Sequence, residues 1–406
     1  MKKLILSMLV IAIAIILAGS VTAQDCCGWR GNERDGKVSG FVKPVVWPAQ
    51  LTKVWQSNAG LGDASPVMAD GKLFLHVKQD SSEVMLCMDA ATGKEIWHTN
   101  LNPSPNINGP AMGHPGPRST PFYAKDKLYS LGTGGVVSCL DAKTGKIIWK
   151  NEAFTGEVPQ FYTASSPLVV EDKCIMQLGG REHGCVVAFD ALTGHEMWRV
   201  EGQPSTYSSP ILSPNDKQML LVQSETDLLG ISTNGTLLWK IPTPTQRMFN
   251  NAVTPVAHGM DVIVTGQGSG TKMVHLQKEA DQWINNLLWD NNELGVSFNT
   301  PLVKNGYLYG NEAKSGNLFC LDVKTGEKKW MDATALNRFA SLQDLGEVVA
   351  CLPSTGQLIF FSPSQTVYTE LAKYKVADTE VYAHPLIAGD KIYVKDKESL
   401  TCWSLK

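Results

Sequence analysis

Three observations predict an all-β fold for this chain. A unit of about 45 residues repeats, hairpin turns stand inside every copy, and no stretch has a convincing helical period. Four short strands per unit at that period make an eight-bladed β-propeller of four-stranded antiparallel blades, its ring closed by the N-terminal strand. The repeat is plainest at residues 138–149, SCLDAKTGKIIW, and returns at 87–97, 188–198 and 320–330, with weaker copies before Trp239 and Trp289.

Each unit opens on a hydroxyl residue or His followed by Pro. The prolines are Pro66, Pro121, Pro167, Pro210, Pro255, Pro301 and Pro385, and the last step is about twice the others. One degenerate unit must lie inside it, starting near Ala340-Ser341-Leu342. After each Pro come a short apolar run and a tight turn (Asn305-Gly306, Asp70-Gly71, Asp390-Lys391). An alternating run, a strand ending at Asp, a Thr-Gly turn and a strand ending at Trp complete the unit. Two-residue Gly turns between alternating runs are strong hairpin signals. The last unit has three strands, and the chain opens with an orphan strand ending at Trp55. Pairing the two closes the ring and removes its exposed edges. Residues 277–286 are the one helical candidate, read as a loop or a single turn.

Because every blade carries them, Trp55, Trp97, Trp149, Trp198, Trp239, Trp289 and Trp330 read as packing residues. Each is expected to lay its ring on the neighbouring blade near the Thr-Gly turn, where a large flat side chain buries much apolar area. In the seventh unit Tyr374 or a neighbour takes that place. The repeated Asp and Gly read as turn chemistry.

Lys2 and Lys3 precede an apolar run over residues 4–18 and the small residues up to Ala23, the pattern of a signal peptide cut after Ala23. Its loss removes two lysines and takes the net charge from −3 to −5. No later run is long enough for a transmembrane helix, and a mildly acidic chain without a basic run argues against nucleic acid as partner. The division is therefore 1–23 signal peptide, 24–50 extended leader with little to bury, and 51–406 propeller in a periplasmic or secreted protein. Nine cysteines enter an oxidising compartment, an odd count. Cys87, Cys139 and Cys320 hold one strand position in different blades and read as buried thiols. Cys174 and Cys185 flank the Gly179-Gly180 turn and are read either as a cross-hairpin disulfide or as two more such thiols. The adjacent Cys26-Cys27 stays open between a vicinal disulfide, an intermolecular bond and free thiols.

Any site belongs where the units differ, in the connections just before each Ser/Thr-Pro, which rim one end of a propeller channel. The longest connection, residues 100–119, carries His114 and Arg118. Others bring Tyr162, Tyr207, Asn251, Asn299, Arg338, Tyr382 and His384. Aromatic, amide and cationic groups converging on one mouth suit a polar or anionic ligand. The other reading is that they hydrogen-bond the funnel wall and ordered water. None has a spacing that demands catalysis or a metal.

The unit Ala/Leu-x-Asp-x-x-Thr-Gly-x-x-x-Trp resembles the tryptophan-docking motif of the quinoprotein-like eight-bladed propellers. That superfamily includes dehydrogenases that use pyrroloquinoline quinone (PQQ) and the non-enzymatic assembly lipoprotein BamB. The leader, Trp29-Arg30-Gly31 through Arg34 and Gly36, is similar to the opening of a bacterial group of PQQ-like repeat proteins without an assigned function. The resemblance implies the fold over residues 51–406. In the dehydrogenases PQQ lies on the axis beside a disulfide of adjacent cysteines and a calcium. The adjacent pair here, Cys26-Cys27, stands in the leader, and no calcium set or catalytic Asp segment is recognisable. No cofactor is expected, and PQQ with calcium enters only if a divergent dehydrogenase site exists. The leading reading is non-catalytic binding of an envelope protein or a small polar or anionic ligand at the funnel. A divergent quinoprotein oxidoreductase is the alternative, and an outer-membrane assembly factor a weaker one.

Overall fold

Alternating apolar runs broken at Gly turns fold into eight four-stranded antiparallel sheets in this computed structural model. The structure describes residues 25–245, 250–280 and 282–406, so the expected signal peptide, residues 1–23, lies outside the described residues. Seven blades are continuous in sequence, over residues 67–103, 122–151, 168–201, 211–242, 256–291, 302–335 and 340–375. The degenerate unit begins at the strand Ala340–Asp344, where the proline step placed it. Blade 8 joins Leu386–Ala388, Lys391–Lys395 and Ser399–Ser404 to the N-terminal strand Thr52–Asn58. That strand runs antiparallel to the last, Thr52 opposite Ser404 and Asn58 opposite Ser399, and the ring is closed. Among the described residues no helix is long and apolar enough to cross a membrane.

The core lies between blades. Tyr129, Val137 and Cys139 of blade 2, for example, pack on Cys174, Met176 and Phe189 of blade 3. At the outer edge of five seams a Trp ring meets a turn glycine of the next blade. A Cβ added to Gly93, Gly145, Gly194, Gly235 or Gly326 would stand 2.4–2.7 Å from the ring of Trp55, Trp97, Trp149, Trp198 or Trp289, respectively. All five glycines have positive φ, so the turn conformation and the ring both require glycine. The indole N–H of Trp55, Trp149, Trp198 and Trp289 donates to a backbone carbonyl of the same turn region, as from Trp149 to Ala191 at 3.1 Å, whereas that of Trp97 is buried without a partner. Trp239 departs from the expectation. The next blade has no Thr-Gly turn, and its ring instead covers Gly230 across the strand pair, with Nε1 3.4 Å from the Met219 sulfur. In blade 7 the register sets Ala372 opposite Phe360, just before the bulge. Tyr374 lies two residues on, donating to the Pro48 carbonyl, and the leader's Trp47 meets Phe360 at a tilt, ring centres 4.6 Å apart.

Three further expectations are corrected. Residues 277–286 are neither loop nor helical turn: they span the longest hairpin, Gly270–Glu279 with Gln282–Asn291. Without a Thr-Gly turn to end it, that hairpin runs on to a turn at Ala280, whose φ is +51°. Cys174 and Cys185 do not face each other. Cys174 pairs with Phe189 and Cys185 with Leu178, because the intervening loop sets a register that holds them apart, and all nine thiols are free. The leader also buries more than expected. Arg30 and Arg34 are each only 4% exposed, seated on the propeller axis.

Candidate functional site

The Ser/Thr-Pro starts build a girdle around the axis. Proline fixes φ and removes a donor, so the preceding residue's N–H must find a partner outside a regular ladder. It finds the hydroxyl of the next blade's equivalent residue. Ser65 N–H donates to Thr120 Oγ1, Thr120 to Ser166 Oγ, Ser166 to Ser209 Oγ and Ser209 to Thr254 Oγ1, at 2.9–3.0 Å. His384 N–H donates to Ser65 Oγ at 2.9 Å across the ring closure.

The carbonyls of the same dipeptides face the leader, and its two arginines satisfy them. Arg30 donates to Thr300 O at 2.8 Å and Pro301 O at 3.2 Å. Arg34 donates to Ser166 O at 3.2 Å, Pro210 O at 2.8 Å and Pro167 O. Burial pushes the guanidinium pKa down to about 10 for Arg30 and about 9 for Arg34. Both residues have positive φ, and Gly36 is required beside them, since a Cβ there would lie 2.8 Å from the Arg30 guanidinium. Backbone pairing of Cys26 with Met68 and of Val38 with Asp344 fastens the leader to blades 1 and 7. The spacing Trp-Arg-Gly-x-x-Arg-x-Gly is thus a plug for the channel.

On the other side of the girdle lies a cavity of about 590 Å³. Of the nine candidate residues it brings together seven: His114, Arg118, Tyr207, Asn299, Arg338, Tyr382 and His384. His114 Nδ1 is 2.6 Å from Asp63 Oδ2, and its ring meets Tyr382 edge-on at 4.6 Å. Arg118 donates to the carbonyls of Phe161 and His114, and burial lowers its pKa. Tyr207 accepts from Phe161 N–H at 3.1 Å, and burial pushes its pKa up to about 12. Asn299 donates to Arg338 O. The Arg338 guanidinium lies 5.7 Å from the rings of Phe298 and Phe339, themselves stacked at 4.3 Å, and has no carboxylate within 4.0 Å among the described residues. His384 is buried and meets Trp29 edge-on at 5.7 Å; burial and the neighbouring Arg30 push its pKa down to about 3.

Two candidates stand elsewhere. Asn251 is buried in the wall, donating to Glu225 O and Thr243 O. Tyr162, at φ +66°, donates from its hydroxyl to Asn106 O. Of the long connection, the first residues belong to the strand Glu95–Pro103, and the 3₁₀ turn Gly109–Gly113 brings Pro110 and Ala111 to the cavity. Sequence reasoning missed Asp63, Phe161, Phe298 and Phe339, although each precedes a Ser/Thr-Pro or its degenerate equivalent and obeys the same rule. It also missed Trp29, for which a leader read as an extended arm gave no signal.

A quinone–calcium centre fits these residues poorly. Calcium takes six to eight oxygen ligands, several of them carboxylate. Among the described residues Asp63 is the one carboxylate lining the cavity, and it is bound to His114. Among the described residues no three His, Cys, Asp or Glu stand together as a metal set. Cys26 and Cys27 lie outside the cavity, and burial beside Cys27 pushes the Cys26 thiol up to about 11.

Comparison with known proteins agrees with the architecture. A family model described as outer membrane protein assembly factor BamB matches residues 80–332. BamB of Yersinia pestis is 22% identical over 74% of this chain and 80% of its own length. The quinohemoprotein alcohol dehydrogenase ADH IIB of Pseudomonas putida is 30% identical over 37% of this chain. The match spans only 22% of that enzyme's length. Among solved structures, BamB from Moraxella catarrhalis superposes with a TM-score of 0.64 at 15% identity, over 88% of this chain and 98% of that one. The quinohemoprotein alcohol dehydrogenase from Comamonas testosteroni gives 0.67 at 14%, over 94% and 80%. With the family model covering more than half of its length, this chain belongs to the BamB-like family of PQQ-like repeat, eight-bladed β-propellers.

Proposed function

We propose that this propeller works by binding, without catalysis, and that the funnel is its recognition face. The observation that carries the reading is the lining of the cavity. Among the described residues two guanidinium groups and a cluster of aromatic rings surround it, and the one carboxylate is already paired. Such a lining selects a polar or anionic group, either a small molecule or one borne by an exposed segment of an envelope protein. Family membership beside an outer-membrane assembly factor supports a protein as the bearer, and a periplasmic or secreted location after signal cleavage is part of the same proposal. The similarity to dehydrogenases favours a second reading, a divergent quinoprotein oxidoreductase, but the carboxylate-poor lining speaks against it.

Arg338→Ala tests the first reading. Its guanidinium holds no carboxylate, so the change leaves the fold intact while removing charge from the mouth. The tagged wild-type chain is expected to retain a defined set of envelope proteins, and Arg338→Ala with Tyr382→Ala to lose them. Equal retention by both would exclude the funnel as the recognition face.

A further inference from the structure

The end of the cavity next to the leader is a built polar chamber. Trp29 of the leader and His384 of blade 8 close it, and the girdle hydroxyls of Ser65, Thr120, Ser209 and Thr254 line it. Each of these hydroxyls accepts a backbone N–H, Ser65 from His384 and Ser209 itself from Ser166. None gives its own proton to a described protein group, so four O–H donors remain available to an occupant. Two further polar atoms are buried without a partner: Ser341 Oγ, on a residue 6% exposed, and His384 Nδ1, on a residue 8% exposed. Buried polar groups are nearly always hydrogen-bonded, and two unpaired ones on lining residues, beside hydroxyls with protons still to give, point to a polar occupant.

The charge around the chamber sets the sign of that occupant. The Arg30 guanidinium carbon lies 5.7 Å from the Trp29 ring centre, behind the floor. Arg118 and Arg338 stand toward the mouth, and Asp63, the only lining carboxylate among the described residues, is engaged by His114. A cation would meet like charge on both sides, whereas an anion would meet donors and opposite charge. From this geometry we propose that the inner end of the cavity is a seat for a carboxylate, its floor supplied by the leader. The proposal deepens the binding reading above by naming the ligand chemistry, and it gives the leader a role in the site itself.

Malonate is the probe, used with residues 24–406, in calorimetry and in imidazole ¹⁵N NMR. The expected result is saturable binding that shifts the His384 nitrogen resonances. Malonamide, of like shape and no charge, is expected to bind at least tenfold more weakly. His384→Gln and Ser341→Ala, each checked for wild-type melting, are expected to weaken malonate at least tenfold. A peptide with a free C-terminal carboxylate is compared with its amidated form. Tighter binding of the free peptide than of malonate identifies a chain terminus as the source, and the reverse identifies a small acid. A chamber holding only water would give no saturable heat, and that result overturns the seat. Malonamide equal to malonate, or malonate binding with no His384 shift, overturns it too. Loss of envelope-protein retention in the mouth variant with malonate binding intact leaves the seat standing. Retention intact with no malonate binding removes the seat and leaves the recognition face.

Discussion

Replacing Arg34 with Met tests whether the leader is part of the fold. Arg34 gives three charge-assisted hydrogen bonds to the carbonyls of Ser166, Pro167 and Pro210, from blades 3 and 4. Such bonds contribute roughly 1.5–3 kcal/mol each, and each abandoned buried acceptor costs about 1–3 kcal/mol. Against this stands the desolvation of a guanidinium that is only 4% exposed, a penalty of several kcal/mol that the substitution relieves. Methionine also refills much of the volume. The balance is a loss of about 3 kcal/mol, and in a chain of this size that lowers Tm by roughly 3–6 °C. The leader should then detach before the ring opens. Trypsin reads this directly, because Arg30 and Arg34 are buried in the wild type and resist cleavage. Arg34→Met is expected to be cut rapidly at Arg30 and Lys37 while the propeller stays intact, and Arg34→Lys, with a point charge and no fork, to fall between. A melting curve within about 1 °C of wild type and an unchanged digest would refute the plug.

Three other outcomes follow from the geometry. Gly194→Ala forces a Cβ to 2.5 Å from the Trp149 ring at φ +74°, and is expected to cost about 3 kcal/mol in chemical denaturation. Gly71→Ala, at φ +71° with open space around it, should cost only about 1 kcal/mol, which separates seam packing from backbone strain. His384 has a folded pKa pushed well below its unfolded value, to about 3. The unfolded state therefore takes up a proton first, so its contribution to stability is intact above about pH 6.5 and is lost as pH falls toward 3. In denaturant melts, His384→Gln should flatten that slope. Arg338→Ala should leave Tm within about 1 °C, since it breaks only an exposed contact with aromatic faces.

Most of the fold was legible because it repeats. The Ser/Thr-Pro starts gave the blade count, including the degenerate unit at Ala340, and the orphan strand at Trp55 gave the closure. What escaped lies where one copy differs from the rest. The hairpin around Ala280 lacks the Thr-Gly turn, so nothing in the pattern announced how far its strands run. Of the site, the rim rule found seven lining residues, because a propeller sends those connections to one mouth whatever their composition. The rule cannot tell a side chain that turns inward, such as Tyr207, from one that serves the wall, such as Asn251. The leader was the larger omission. Arginine spacing in a polar stretch reads as a solvated arm until the carbonyl girdle that receives it is seen, and that girdle comes from residues more than a hundred positions away.

The central claim, that the funnel binds without quinone chemistry, is tested most directly by titrating PQQ and calcium into the chain while following tryptophan emission. Trp29 lines the cavity and would report an occupant there. No calcium-dependent, saturable quenching is expected up to high micromolar PQQ, and any weak quenching is reversed by malonate. Saturable quenching at low micromolar PQQ that requires calcium and is abolished by Asp63→Asn would contradict it.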